Sequence, residues 1–264
     1  MLRPLLDARH DTPPTIVFAN HAYREIADNW IRSAQRLGIR NFWFIALDRD
    51  MHDFLTRTGI QSIPLECEPG RQGIWKIRIQ VFKCLVDNGV DFIHSDADAV
   101  WLRDPVDRYY TEHKDIDLVI SQGTVWPPDV FTQWNFVLCC GFFVLRANRR
   151  TETLLRELET DVKLTGDDQI SINRLIYRRN MRWTIGSSYR LPFRGVQLLM
   201  SENMIVGAGD GLTVGVIPFA EVPRFHVKDI RPYVEHPLAP KDNDEKKRFF
   251  QEIGLWTEPD GNHR

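Results

Sequence analysis

Two aspartates, Asp96 and Asp98, close a short apolar run at residues 92–93 and precede Val100, Trp101 and Leu102, before Pro105 stops the segment. A run of that length between polar residues suits a buried strand, so both carboxylates stand at a strand's carboxyl end. In open α/β sheets ligands gather outside that end. Two hard oxygen donors there suit a hexacoordinate cation, Mn²⁺ or Mg²⁺, that bridges to a phosphorylated ligand. The spacing by itself is common: Asp-x-Asp recurs at Asp48/Asp50, Asp115/Asp117 and Asp242/Asp244, where a solvated turn is the simpler reading. The copy at 96 and 98 differs because it lies between two apolar segments, where uncompensated carboxylates are costly.

Other residues could join this chemistry. The spacing predicts a helix over 74–88 whose polar stripe is Lys76, Gln80, Lys83 and Asp87, with Arg78 on the opposite side among Ile74, Val81, Phe82 and Leu85. A lone arginine on an apolar face needs an anionic partner, either a phosphate or a structural carboxylate, unless its side chain snorkels to solvent. Gly166-Asp167-Asp168-Gln169 opens a second helix with an inner stripe of Ile172, Leu175 and Ile176. Asp168, four residues before Ile172, shares that stripe, whereas Asp167 groups with Ser171 and Arg174. An acid in a first turn is either a helix cap or a site carboxylate. His226 ends an apolar run over 222–227, as a structural residue or a ligand. Gly141 interrupts the longest apolar strand and marks a bulge or a close approach of backbone to ligand. Trp126 and Trp134, in a stretch 122–135 expected to be a loop, are either platforms for a sugar or ordinary loop packing.

The elements that must position these groups alternate. A β-branched strand over 15–19 leads to a helix marked by Tyr23, Ile26, Ala27, Trp30, Ala34 and Leu37 and stopped by Gly38. Strands follow at 42–47 and near 63–65, then a polar turn over 68–71, the helix 74–88 closed by Gly89, and the strand before Asp96. Strand, helix, strand, helix, strand is the order of a parallel α/β sheet with right-handed crossovers. Further on, strands are expected at 117–121 and 136–145, helices at 151–162 and from 167, and short strands and turns over 183–227. The glycines at 207, 209 and 211 precede a strand-like run, which makes them a turn and not a phosphate loop. A polar connector over 237–244 leads to a terminal helix over 246–254 that packs Phe249, Phe250 and Trp256.

The chain's 264 residues, 43% hydrophobic and 27% charged, suit one domain. A net charge of −2 with dispersed Lys and Arg leaves no electrostatic footprint for nucleic acid. No apolar run reaches the ~20 residues of a membrane span, and the N-terminus lacks a signal core, so a soluble, cytoplasmic protein is expected. The four cysteines (Cys67, Cys84, Cys139 and Cys140) lack Cys-x-x-Cys spacing and read as free thiols, with Cys139 and Cys140 as small core residues.

The string Gly89-x(6)-Asp96-Ala-Asp98-Ala-Val-Trp101-Leu102-Arg-Asp-Pro105 resembles the signature of the nucleotide-diphospho-sugar transferases of glycosyltransferase family 77. The likeness extends to Ala46-Leu47-Asp48, Arg78, Gly141-Phe-Phe-Val-Leu-Arg146, and Asp168-Gln169 followed by Asn173, and so spans about residues 15–180. It implies a GT-A fold, a Rossmann-like mixed sheet flanked by helices, with a nucleotide-sugar half over about 15–105, an acceptor half over about 106–236 and a C-terminal helix. It further implies metal-dependent, retaining transfer from a nucleoside diphosphate sugar, most often a UDP-sugar, to a glycan, protein or small-molecule acceptor. On this resemblance Asp96, Asp98 and His226 would hold Mn²⁺ or Mg²⁺. Asn20 and Asp48 would face the base and ribose, and Arg78, ahead of Lys76, would contact the donor together with Gly141. Asp168 and Gln169 would lie at the anomeric carbon. Asp96-x-Asp98 with Gly166-Asp167-Asp168 also resembles the haloacid dehalogenase phosphohydrolases. That superfamily's nucleophile, however, follows the first strand, and its late acidic motif wants a carboxylate where this chain has Ser171. A non-catalytic sugar-nucleotide binder is the third reading.

Overall fold

A short helix α1 (Arg3–Asp7) buries Leu5, and β1 (Thr15–Ala19) is buried along its whole length. The computed structural model describes residues 2–8, 12–67, 70–226 and 230–258. In α2 (Arg24–Arg36) the residues Ile26, Ala27, Trp30 and Ala34 are buried at the spacing read from the sequence. After β2 (Phe42–Ala46), Asp48 accepts from the Met51 amide and starts α3 (Arg49–Arg57), a helix the sequence did not announce. Next come β3 (Ser62–Pro64), α4 (Arg71–Asp87), β4 (Phe92–Ser95) and the two-residue β5 (Val100–Trp101). Part of the turn expected over 68–71 lies outside the described residues.

The second half begins with β6 (Leu118–Gln122). The expected loop contains a short helix, α5 (Pro128–Trp134), before β7 (Leu138–Leu145). Asn148 makes a reciprocal capping box with Thr151 at the start of α6 (Arg149–Thr165), which Gly166 ends in the left-handed conformation. Then follow α7 (Asp168–Arg178), β8 (Arg182–Thr184), the antiparallel ribbon of β9 (Ser188–Phe193) and β10 (Val196–Ser201), then β11 (Ile205–Gly209) and β12 (Leu212–Ile217). The apolar run expected over 222–227 forms no strand among its described residues, 222–226. The last elements are β13 (Val234–Glu235) and α8 (Asn243–Glu252), the latter burying Phe250.

Nine strands form one mixed sheet in the order β3-β2-β1-β4-β7-β6-β12-β11-β8. The first four run parallel, and β7 then inserts antiparallel to both β4 and β6. Alternation along the strands splits the core between the two sheet faces. Ile16, Phe18, Phe82 and Phe143 share one cluster, and Val17, Trp30, Phe44 and Phe142 share the other. Along β7 that alternation breaks at Gly141. Ile120 pairs with Phe143 but Ser121 with Cys139, the irregularity expected of a glycine at that position. The break lies beside the carboxyl end of β4. No helix among the described residues is long and apolar enough to cross a membrane.

Candidate active site

Asp96 follows β4, and its amide donates to the Gly141 carbonyl at 2.7 Å, which pins the turn against β7. The Ala99 amide closes that turn on the Asp96 carbonyl at 3.0 Å, so Asp98 faces the same side. Opposite them, β13 pairs antiparallel with β5, matching Val234 to Trp101 and Glu235 to Val100. The next residue, His236, thereby reaches the aspartates. Its Nε2 lies 3.3 Å from Asp98 Oδ1 and 3.7 Å from Asp96 Oδ2, and one ligand atom from each of the three residues falls within 4.8 Å of the others. A Cβ on Gly141 would meet His236 Cε1 at 2.0 Å and Asp96 Oδ2 at 3.0 Å. Only glycine leaves room for the imidazole there.

The histidine expected at this site was His226, and the structure corrects that expectation. His226 Nδ1 pairs with Glu235 Oε1 at 2.8 Å, and its side chain is 37% exposed. Glu235 and His236 are neighbours in an extended segment, so their side chains leave on opposite sides. Glu235 holds His226 away while His236 turns in.

Arg78 is 3% exposed, and its two terminal nitrogens carry all its polar contacts while Nε is left without a hydrogen-bond partner. Its guanidinium donates to His94 Nε2 at 2.6 Å and the Cys140 carbonyl at 3.0 Å, and lies 3.3 Å from Asp96 Oδ1 and 3.5 Å from Asp168 Oδ2. Of the two partners the sequence left open for it, phosphate or carboxylate, the structure supplies carboxylates. Lys76 lies on the exposed side of α4. His94 donates from Nδ1 to the Ile16 carbonyl at 2.9 Å, which leaves Nε2 to accept from Arg78. Burial and the neighbouring guanidinium push its pKa down to about 4, so the ring is neutral.

These contacts divide the carboxyls electrostatically. Burial opposes the charge on Asp96, but Arg78 foremost, with His236, outweighs it and holds the group well below the usual carboxylate range. Asp98 is likewise held down, against burial, by His236 and Lys246. Burial and Arg224 pull His236 down, yet its contacts with Asp98 and Cys139 lift its pKa to about 9. Asp168 goes the other way. It is 4% exposed at the first turn of α7, and burial, reinforced by Asp96 and Asp167, overrides Arg78 and pushes its pKa up to about 6. The neighbouring Asp167 caps the helix, accepting from the Ile170 amide at 2.8 Å.

The remaining expected residues are spread around this core. Asp48 accepts from the His21 amide at 2.9 Å and the Met51 amide at 2.8 Å, so its carboxylate ties the ends of β1 and β2 together. Asn20, half-buried, starts the single turn His21–Tyr23 without a side-chain capping bond. Gln169 donates to the Trp126 carbonyl at 2.8 Å, and Asn173 clamps Leu138 through both its amide and its carbonyl. Of the two loop tryptophans, Trp126 is 52% exposed, whereas Trp134 packs against Phe136 and Trp183.

Three contributors escaped the sequence reading: His236, Tyr23 and Lys246. Tyr23 donates to Asp98 Oδ2 at 2.8 Å, and Lys246 reaches the same oxygen at 2.6 Å. His236 had a weak signal, a Val-Glu-His alternation before Pro237. Lys246 had none beyond its place on a helix.

Residues 37–236 match the family model described as nucleotide-diphospho-sugar transferase. The chain is 23% identical over 190 residues to the UDP-galactose:fucoside alpha-3-galactosyltransferase of Dictyostelium discoideum, a match covering 65% of this chain but only 26% of that enzyme. In fold it is similar to the galactosyltransferase LgtC, solved with donor and acceptor sugar analogues, at a TM-score of 0.55 and 13% identity over 93% of this chain and 98% of that one. It is also similar to the bifunctional glycosyltransferase WbbM, at a TM-score of 0.56 and 11% identity over 94% of this chain and 51% of that one. With its mixed sheet, its carboxylates at the end of β4 and a family match over most of its length, the chain belongs to the nucleotide-diphospho-sugar transferases, a family of glycosyltransferases.

Proposed function

We propose that this domain moves a sugar from a nucleoside diphosphate sugar, of the UDP type, to an acceptor hydroxyl, with a divalent cation and with retention at the anomeric carbon. The observation that carries the reading is the convergence of Asp96, Asp98 and His236 beside Asp168, the one carboxyl of this group whose pKa is raised. Two carboxylates and an imidazole are a donor set suited to Mn²⁺ or Mg²⁺, and the notch at Gly141 gives the imidazole its place. Asp96, Asp98 and His236 would hold the ion, whose chemistry is to offset charge growing on the departing diphosphate.

The protein's own groups do the rest. Arg78 ties Asp96 to Asp168 and keeps both oriented while lying too deep to leave with a ligand. Asp168, the least stabilised carboxylate of the group, supplies negative charge where an oxocarbenium-like centre develops, either as a stabiliser or as a nucleophile. Gln169 acts on position, fixing the backbone at Trp126, whose exposed ring offers an apolar platform to an acceptor sugar. Asn20 and Asp48 border the donor's base and ribose at the ends of β1 and β2.

The test is release of nucleoside diphosphate from a panel of nucleotide sugars with Mn²⁺, with and without chelator. Release from a UDP-sugar that chelator abolishes supports the reading. Release of inorganic phosphate from simple phosphomonoesters instead overturns it.

A further inference from the structure

Lys246 is a cation buried beside the proposed metal ligands, and the fold takes care to put it there. Only 8% exposed, it donates to Asp98 Oδ2 at 2.6 Å and contacts the Tyr23 hydroxyl, which bonds the same oxygen. Its helix is stitched to α2 and to the turn His21–Tyr23 before it. Asn243 donates to the Ala22 carbonyl at 2.6 Å, Lys247 pairs with Glu25 at 2.9 Å, and Phe250 and Leu255 pack with Ile26 and Val100. Beyond the helix, Asn29 holds the Leu255 carbonyl at 3.0 Å and the Thr257 amide at 2.6 Å. Burying an ammonium requires a partner, and the partner chosen is a carboxylate that also serves the metal position. The two oxygens of Asp98 are thereby divided, Oδ2 to Lys246 and Tyr23, Oδ1 to His236.

We propose that Lys246 couples cation binding to diphosphate binding, so that the site disfavours a bare divalent ion and accepts the ion together with a nucleoside diphosphate. The proposal rests on the reading that Asp96, Asp98 and His236 hold a divalent cation for a nucleotide-sugar donor. A fixed positive charge that shares a carboxylate with the ion repels it. The negative charges of a diphosphate bound to that ion cancel the repulsion. Even with the full screening of bulk water, a separation of a few ångströms makes this effect worth about tenfold in affinity. Arg78 on the other aspartate does not play the same part, since it is balanced by Asp96 and Asp168 together.

The experiment titrates the full chain with Mn²⁺, following the free ion by electron paramagnetic resonance, with and without UDP. The proteins are wild type, Lys246→Met, Lys246→Gln and Lys246→Arg, with thermal melts to check folding. Wild type should bind bare Mn²⁺ weakly and tighten it strongly when UDP is added. The Met and Gln variants should bind bare Mn²⁺ about tenfold tighter, with the gain from UDP reduced by the same factor, and the Arg variant should keep the wild-type pattern. Unchanged or weaker binding of bare Mn²⁺ by the Met and Gln variants overturns the proposal and leaves Lys246 a structural partner of Asp98. If neither variant folds, wild type decides: no tightening of Mn²⁺ by UDP overturns it. Wild type that binds no Mn²⁺ under either condition overturns the metal reading itself.

Discussion

Replacing Asp168 by Asn should stabilise the fold while nearly abolishing turnover. The carboxyl is 4% exposed, and its pKa rises from an ordinary 3.8 to about 6, chiefly through burial. At about 1.36 kcal/mol per pH unit, the charged form is disfavoured by roughly 3 kcal/mol once the pH exceeds the folded value. Because the folded pKa is the higher one, the group's contribution to stability is fully present below the unfolded value near 3.8. It is lost as the pH rises through about 6. Asparagine keeps the shape of the protonated acid and never ionises. The Asp168→Asn protein should therefore match wild type in stability near pH 4 and exceed it by an amount approaching 3 kcal/mol at pH 8. Urea unfolding at several pH values reads this difference. In the same protein, turnover should fall by orders of magnitude with little change in nucleotide affinity, as for a group that acts mainly in the transition state. Parallel stability curves for the two proteins, or lower stability of the variant at pH 8, would refute the electrostatic account of Asp168. Near-normal turnover would remove it from the chemistry.

Other perturbations separate the remaining groups. His236→Ala should weaken Mn²⁺ binding in the presence of UDP by at least tenfold, whereas His226→Ala should leave it unchanged; calorimetric titration compares the two. Gly141→Ala forces a methyl into the position of the His236 ring, so a loss of about 1–3 kcal/mol in urea unfolding and loss of metal binding are expected together. Arg78→Met leaves the buried Asp168 and the half-buried Asp96 without their shared cation and should cost about 3 kcal/mol of stability at pH 7, a loss read by denaturant melts and partly relieved in Arg78→Met/Asp168→Asn. Asp167→Ala should cost about 1 kcal/mol through the helix cap, with turnover of the folded protein retained.

What the sequence made legible follows from locality. The strand ending at Asp96, the inward turn of Arg78 and the split between Asp167 and Asp168 are set by periods of two and 3.6 within single elements, and the structure places each residue accordingly. The break at Gly141 was equally readable, since a glycine inside a long apolar strand has few other uses. The misses are matters of long-range pairing. The choice between His226 and His236 depends on the antiparallel pairing of β13 with β5, more than 130 residues apart in the chain, which no local pattern encodes. Lys246 sits on a helix whose apolar stripe was visible, but the surface beneath that helix was not. α3 was missed because its start depends on Asp48, read for its chemistry and not for the cap it forms. Arg78 was turned inward correctly, yet periodicity alone could not say whether an anion of the protein or of a ligand would meet it.

The central claim is that Asp96, Asp98 and His236 together hold the cation that carries the donor's diphosphate. Crystals of the protein grown with Mn²⁺ and UDP, measured at the manganese absorption edge, test it most directly. One anomalous peak enclosed by Asp96, Asp98 and His236 and touching the diphosphate is the predicted result. A peak at His226 and Glu235, or UDP bound with no manganese at the end of β4, would contradict it.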